Sequence, residues 1–424
     1  MIGAMIETAT ITPDDQEMLD RVAAMGPSLV ARAVDWANIS SGSLNLAGLE
    51  AVQVALEGAL AALPGALDVV PLAPSQSVSA AGEVVAQPHS AALRLTVRPE
   101  AATQIVLTGH YDTVYPQGTP FTTVTTRADG ALHGPGIADM KGGISLMLGA
   151  LAAFEAHPLA ERIGYRVLLS PDEEIGSPAS AALLAEIAKG AHLGMTYEPS
   201  LPDGSLVEAR KGSGNYHFIV RGKAAHAGRD FASGRNAVAA AAALAAKLAA
   251  LNGQRAGVTL NIARIDGGAP LNRVPDLAVL RFNVRMPEPQ AAEWIAAQIS
   301  TLSQQVALDF EVYIEPHGGV TRAPKPRNAA QSELISAVTS VGAALGERIG
   351  WQPSGGVCEG NNLFAAGVPN IDTLGVIGGA IHSHDEYAWP ASFTTRAQLS
   401  ALLLAKIASG EVDAHHIHSL MSAK

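Results

Sequence analysis

Residues 165–197 read YRVLLSPDEEIGSPASAALLAEIAKGAHLGMTY, and the punctuation of this stretch decides the fold. The apolar run 165–169 predicts a strand, 178–188 a helix and 193–197 a second strand. Just upstream, 140–154 carries apolar residues at helical spacing, so helix and strand alternate at the size of βα units. That alternation implies an α/β fold with a mixed, largely parallel sheet. Between the first strand and its helix stand Asp172, Glu173 and Glu174. Open α/β sheets place their ligand crevice at such strand ends.

Working outward, 13–25, 27–37 and 44–63 read as helices, the first stopping at Gly26-Pro27. Short β-type runs follow at 67–72, 91–97 and 104–107. After Lys211 the rhythm changes. Strand 215–222, helix 236–251, strands 258–265 and 277–286, helix 290–306 and strand 309–314 give the order β-α-β-β-α-β. This is a ferredoxin-like arrangement. The Pro-rich TRAPKPRN (321–328) closes it, and helix or strand patterns resume at 331–344, 369–375 and 392–407. The expected organisation is a discontinuous catalytic, metal-binding domain (1–211 and 321–424) interrupted by a smaller inserted domain (212–320).

With 28 Lys+Arg against 39 Asp+Glu, the 424-residue chain has a formal charge of −11 and no basic run. This argues against nucleic acid or an anionic membrane as partner. Hydrophobic residues at 48% with charged residues at 16% place the chain among globular proteins, away from disorder. The single cysteine, Cys358, excludes an internal disulfide framework and a thiolate zinc finger. The N-terminal MIGAMIETATITPDDQEMLD lacks the basic start of a secretory signal, and the Ala-rich 237–251 is shorter than the roughly 20 residues of a membrane span. A cytoplasmic enzyme acting on a small molecule is the expectation.

Polar clusters recur where apolar strands end. His110 follows a strand and a glycine in LTGHYDTV, with Asp112 placed to orient its ring. Asp139 stands in GPGIADMKGG before a helix, where it serves either as a ligand or as an N-cap. Glu173 and Glu174 form, with Asp172, an acidic turn that is either solvated or compensated by a cation. Glu198 closes the strand before YEPS, and GGAIHSHDEY carries His382 and His384. Imidazole and carboxylate donors without sulfur suit Zn²⁺, Mn²⁺ or Co²⁺ at a hydrolytic site. Two such cations outweigh three ligating carboxylates, so a bridging water yields hydroxide near neutral pH. A fourth carboxylate, off the metals, is free to shuttle the proton.

The motifs GHYDTV, GPGIADMKGG, PDEEIG, YEPS, GKAAHAG and IHSHDE, in this order, resemble those of the M20 family of dinuclear zinc metallopeptidases and deacylases. The resemblance covers nearly the whole chain. It implies two Zn²⁺ per subunit, with Co²⁺ or Mn²⁺ as substitutes. His110 and Glu198 would hold one metal, Glu174 and His382 the other, and Asp139 would bridge them. Glu173 would be the general base and Asp112 the partner that orients His110. The family pattern selects His382 over His384.

The resemblance also implies a homodimer joined through the inserted domain, which doubles as a lid. His226 would reach an active site across the dimer interface and stabilise the tetrahedral oxyanion. Arg285 and Asn272 would hold the substrate carboxylate. One departure stands in GGVCEGN (355–361), where Cys358 and Glu359 occupy places usually held by Ser or Thr and by Asp. That puts the substrate in question, although Cys358 itself reads as a packing residue rather than a nucleophile. The tail histidines His415, His416 and His418 are expected to lie in a mobile end that binds metal adventitiously.

The reaction implied is hydrolysis of an amide bond beside a free carboxylate. A glutamate carboxypeptidase-like peptidase is favoured over an N-acyl-amino-acid deacylase or a dipeptidase. The rival from another class is a non-catalytic binding protein on the same fold, which should have lost a ligand or Glu173. A single-metal or redox enzyme is the third option, disfavoured by the surplus of ligands and the lack of a cofactor motif.

Overall fold

The computed structural model of the protein describes residues 8–422. Helix α1 (Pro13–Ala37) starts at a reciprocal capping box between Thr12 and Asp15 and runs through Pro27 unbroken, where the sequence predicts two helices. An internal proline costs a helix about 3 kcal/mol, and packing outweighs it. Met18, Val22, Leu29, Ala33 and Trp36 are all buried along α1. Gly26 permits the approach to the C-terminal helix Pro390–Ser409, because a Cβ there would lie 2.5 Å from Thr394 Oγ1.

Helix α2 (Leu46–Leu60) leads into the main sheet. Its strands are β1 (Ala66–Val70), β2 (Ala92–Val97), β3 (Thr103–His110), β4 (Ile163–Ser170), β5 (Leu193–Thr196) and a late strand, β10 (Asn370–Ile371). Their order is β1-β2-β4-β3-β5-β10. β3 pairs in parallel with β4 on one side and β5 on the other. The chain leaves β3 through helix α3 (Gly143–Phe154) to β4, then crosses back through α4 (Ala181–Ala188) to β5. The order therefore reverses at β3, and a crevice opens beyond the carboxyl ends of β3, β4 and β5.

Both faces of β3 are covered, as a parallel sheet requires. Leu107, Ile144, Leu151 and Leu169 belong to one core cluster, and Val106, Leu168, Leu184 and Leu363 to another. Each such leucine contributes about 1.5–3 kcal/mol of burial. One apolar helical stretch, Ile137–Phe154, has the length and composition to cross a membrane, but 94% of it is buried inside the protein.

A second sheet holds β6 (Gly212–Arg221), β7 (Thr259–Gly267), β8 (Leu277–Met286) and β9 (Tyr313–Arg322), all antiparallel, in the order β7-β8-β6-β9. Helices α5 (Ala237–Ala249) and α6 (Pro289–Asp309) complete the β-α-β-β-α-β succession. Phe218, Leu244, Leu280, Phe282 and Ile295 give this unit a core of its own. The last strand starts later than the sequence predicts. Helix α6 continues past buried Val306 to Asp309, and the chain turns at Glu311 (φ 50°) before β9 begins.

A hairpin, Ser75–Val78 with Val84–Gln87, was not predicted, because only Val78 of its residues is buried. It docks on the second sheet. Arg281 Nη2 donates to the Val78 carbonyl at 2.9 Å and Arg221 Nη2 to the Gly82 carbonyl at 3.0 Å, while Val78 packs on Ile219 and Val279.

The tail differs from expectation too. Residues Ala414–Ser419 form a short helix whose N-cap, Asp413, accepts from the His416 N–H at 2.8 Å. Buried Ala414 and Ile417 anchor it, and the His415 and His418 rings pack on His192 at centroid distances of 4.0 and 5.7 Å. The histidines thus sit on a docked helix.

Candidate metal centre and active site

The parallel register sets His110, at the end of β3, opposite Ser170, at the end of β4. The next turn of β4 carries Glu173 and Glu174, and Glu198 lies just beyond β5. Three strand ends therefore deliver one imidazole and three carboxylates to one place. The loops holding Asp139 and His382 complete the group.

Asp139 lies between the two histidines. Its Oδ1 is 3.1 Å from His110 Nε2, and its Oδ2 is 3.3 Å from His382 Nε2. Glu198 Oε2 lies 3.7 Å from His110 Nε2, and Glu174 Oε2 lies 3.1 Å from His382 Nε2. Donors bound at 2.0–2.1 Å to one tetrahedral cation stand about 3.3 Å apart, so both halves have the spacing of a coordination shell. One donor atom each from His110, Asp139 and Glu174 lie within 4.8 Å of one another, as do those from His110, Glu173 and Glu198.

The electrostatics demand positive charge. Burial pushes Glu198 up to about 7, with repulsion from Asp139 adding to it against the pull of His110. Glu174 is likewise raised, by burial and then by Asp139. Hydrogen bonds to Asp139 and Glu174 push His382 up to about 11. Burial lowers His110, but Glu198, Asp112 and Asp139 outweigh it and raise it well above its ordinary value. These shifts share one cause, several buried carboxylates crowded around two imidazoles, which favours positive charge among them. Glu198 Oε1, buried and without a hydrogen bond, points to the same deficit. The donor set fits Zn²⁺, Co²⁺ or Mn²⁺.

Neighbouring groups fix the geometry. Asp112 Oδ1 lies 3.3 Å from His110 Nδ1, and the same carboxylate accepts the backbone N–H groups of Glu173 and Glu174, each at 3.1 Å. One side chain thereby orients the imidazole and ties down the acidic turn. Asp172 is structural: it accepts from Ala179 N (2.7 Å), Ser180 N (3.2 Å) and Ser180 Oγ (2.5 Å). Asp139 makes no capping bond, and its backbone is non-helical (φ −113°, ψ 91°), so the N-cap alternative does not hold. The solvated-turn alternative fails as well, since Glu173 is buried. Arg322 Nη1 pairs with Glu173 Oε1 at 2.5 Å.

His384 lies apart from the cluster. Its Nε2 is 3.3 Å from Thr119 Oγ1, and its ring stacks on Phe121. Arg285 lines the cleft of about 320 Å³ over the cluster, and its Nη1 is buried without a partner. His226 and Asn272 do not line that cleft. They sit side by side on an exposed part of the second unit, joined by Ala227 N to the Asn272 carbonyl at 2.9 Å. Leu271 and Phe231 are exposed nearby in the chain.

Cys358 and Glu359 are turned inward, so the cleft wall comes from Gly356 and Val357 instead. Cys358 caps helix Glu359–Ala365, its Sγ accepting from Gly360 N at 3.3 Å. Glu359 is fully buried on Ser170 Oγ, and burial pushes it up to about 8. The longer acid therefore does not extend into the cleft.

Several residues escaped sequence reading. Glu386 is buried and accepts from Ala138 N (2.9 Å), Asp139 N (3.0 Å), Gly136 N (3.1 Å) and Tyr115 Oη (2.8 Å), which holds the Asp139 loop in place. Arg210 lines the cleft and is held by Asp372 (2.9 Å), which also takes Lys325 Nζ at 2.6 Å. Within TRAPKPRN, Arg322 and Lys325 are both buried.

Fold, carboxylate–imidazole cluster and overlying cleft together define a metallohydrolase. The chain belongs to peptidase family M20/M25/M40, whose sequence pattern matches residues 106–406. It is 26% identical to carboxypeptidase G2 of Pseudomonas sp. (strain RS-16) over 324 residues, 74% of this chain and 76% of that protein. It is 29% identical to a succinyl-diaminopimelate desuccinylase of Verminephrobacter eiseniae over 309 residues, 68% of this chain and 74% of the relative. The fold matches a tripeptidase from Staphylococcus aureus with a TM-score of 0.69 and 20% identity, covering 91% of this chain and 99% of that one.

Proposed function

We propose that the protein hydrolyses an amide C–N bond beside a free carboxylate, in an N-acyl amino acid or a short peptide. The observation that carries this reading is the Asp139 carboxylate set between His110 and His382, with Glu173 and Arg285 lining the same cleft. His110 and Glu198 would hold one cation and Glu174 and His382 the other, with Asp139 available to both. Bound zinc supplies Lewis acidity and makes a coordinated water acidic enough to ionise near neutral pH. Glu173 takes the proton of the attacking water and returns it to the leaving amine. Arg322 keeps that carboxylate pointed at the cluster, and Arg285 accepts the substrate carboxylate as a planar fork.

A carboxypeptidase action is favoured by the similarity to carboxypeptidase G2. Deacylation of an N-acyl amino acid is the second reading, favoured by the similarity to desuccinylases. We further infer that residues 212–320 form an inserted lid and dimerisation domain on a catalytic domain of 1–211 and 321–424. The exposed pair His226 and Asn272 would then complete the site of a second copy. The single buried cysteine is in keeping with a reducing, cytoplasmic setting. The test is metal analysis of the purified protein together with a hydrolysis screen of N-acyl amino acids and dipeptides. Two zinc ions per chain and chelator-sensitive amide cleavage are expected. A zinc-loaded protein inert toward the whole panel would overturn the reading.

A further inference from the structure

A second, separate groove shares Glu174 and Ile175 with the cleft. Residues 42–45, 113–114 and 116–117 contribute, with Glu174 and Ile175, to a groove of about 460 Å³. Its wall is open and its large exposed side chains are apolar, set among the polar Asn45, Thr113 and Gln117. Leu44 is 64% exposed, and Val114 and Ile175 are each 37% exposed. Three large apolar side chains lining one groove beside a candidate metal ligand mark a binding surface.

The groove is built rather than incidental. Ser43 Oγ donates to Asp112 at 2.7 Å, Thr113 N to the Ser41 carbonyl at 2.9 Å, and Ser43 N to the Thr113 carbonyl at 3.2 Å. Gly42 permits this contact, since a Cβ there would lie 2.3 Å from the Tyr115 carbonyl oxygen. The apolar wall is thus fastened to the carboxylate that orients His110. The main cleft has the opposite character: Arg210, Arg285 and Arg322 all line it. Glu174 and Ile175 belong to both spaces.

We propose that this groove receives the acyl side of the scissile amide, so that the preferred substrates carry an apolar acyl group, a chain of several carbons or an aromatic ring. The inference rests on the amide-hydrolase reading and deepens it. With the substrate carboxylate on the guanidinium side and the amide over the His110–His382 cluster, the acyl group extends toward Leu44 and Val114. An acyl group ending in carboxylate would lose its hydration against these apolar side chains beside Glu174. A short acetyl group would leave them uncovered.

The experiment compares kcat/KM of the zinc-loaded protein for N-acetyl-, N-succinyl-, N-hexanoyl- and N-benzoyl-glutamate. Hexanoyl and benzoyl substrates are expected to exceed the other two by about 10-fold or more. Leu44→Ser, and separately the near-isosteric Val114→Thr, should each remove most of that advantage, read as the ratio of the hexanoyl or benzoyl kcat/KM to the acetyl value in the same variant. A flat series, or an advantage that survives in both variants, overturns the groove assignment while the hydrolase reading stands. If no substrate is cleaved, the hydrolase reading fails and calorimetry judges the groove alone. Benzoate should then bind the zinc-loaded protein about 10-fold more tightly than acetate, with the excess lost in Leu44→Ser. Equal affinities would overturn it.

Discussion

Glu386→Gln replaces the carboxyl group that braces the loop carrying Asp139, and its cost can be worked out bond by bond. The carboxylate takes three backbone N–H groups, from Gly136, Ala138 and Asp139, and the Tyr115 hydroxyl. An amide keeps one acceptor oxygen. In the cheaper orientation that oxygen stays on Ala138 and Asp139, while the new NH₂ faces the Gly136 N–H. Tyr115 adapts, because its hydroxyl also reaches the Ser383 carbonyl at 2.6 Å and can donate there. One buried donor is left unsatisfied and the surviving bonds lose their charge, a combined cost of about 2–5 kcal/mol. Thermal unfolding should fall by roughly 2–4 °C per kcal/mol. Zinc affinity should drop about 10–100-fold, the usual effect of losing a group that positions a ligand. Differential scanning calorimetry and competition with a chromogenic chelator read the two quantities. A variant with unchanged Tm and unchanged zinc affinity would refute the reasoning. A lowered Tm with full zinc affinity would show that Asp139 is positioned without Glu386.

Glu173→Ala should retain about two metals per chain while kcat falls about 10²-fold or more, the scale of lost general-base catalysis; retained activity would remove Glu173 from that role. Mixing inactive His226→Ala with inactive Glu173→Ala subunits should restore activity if His226 serves the partner's site, and confirmed mixed dimers without recovery would count against it. Burial alone raises the Asp15 carboxyl, but Lys406 at 2.8 Å and Thr12 more than offset this and hold it below its ordinary value. Its stabilising contribution is therefore complete above the unfolded value of about 3.9 and is lost as the pH falls through the lower folded value. Urea unfolding of metal-free protein between pH 5 and 3 should show a steeper loss for the native chain than for Asp15→Asn, and parallel curves would contradict the assignment.

The candidate centre was legible in the sequence to the extent that chemistry coincides with strand ends. His110, Glu173, Glu174 and Glu198 each close or follow an apolar run, so their convergence follows from the parallel pairing of three strands. The groups that brace them were less legible. Glu386 stood at the end of the IHSHDE motif without a role, because its work is done on backbone N–H groups far away in the chain. Arg322 and Lys325 stood in a Pro-rich stretch read as a connector, and nothing local distinguishes a buried cation with a partner from a solvated one. Helix α1 was misread at Pro27 for a related reason: the packing that outweighs the proline comes from helices more than a hundred positions away, Gly143–Phe154 and Pro390–Ser409. Glu359 shows the limit of motif comparison. Its side chain turns away from the cleft toward Ser170, so a departure from the family pattern need not alter the pocket.

The two histidines around Asp139 are not equivalent. The His110 side chain is 1% exposed and braced by Asp112, whereas that of His382 is 55% exposed, on a residue with φ 62°. One half of the centre is therefore part of the rigid strand-end framework, and the other is closed by a side chain in contact with solvent. Loading and loss of metal should accordingly be sequential, with the His382–Glu174 position exchanging first and the His110–Glu198 position persisting.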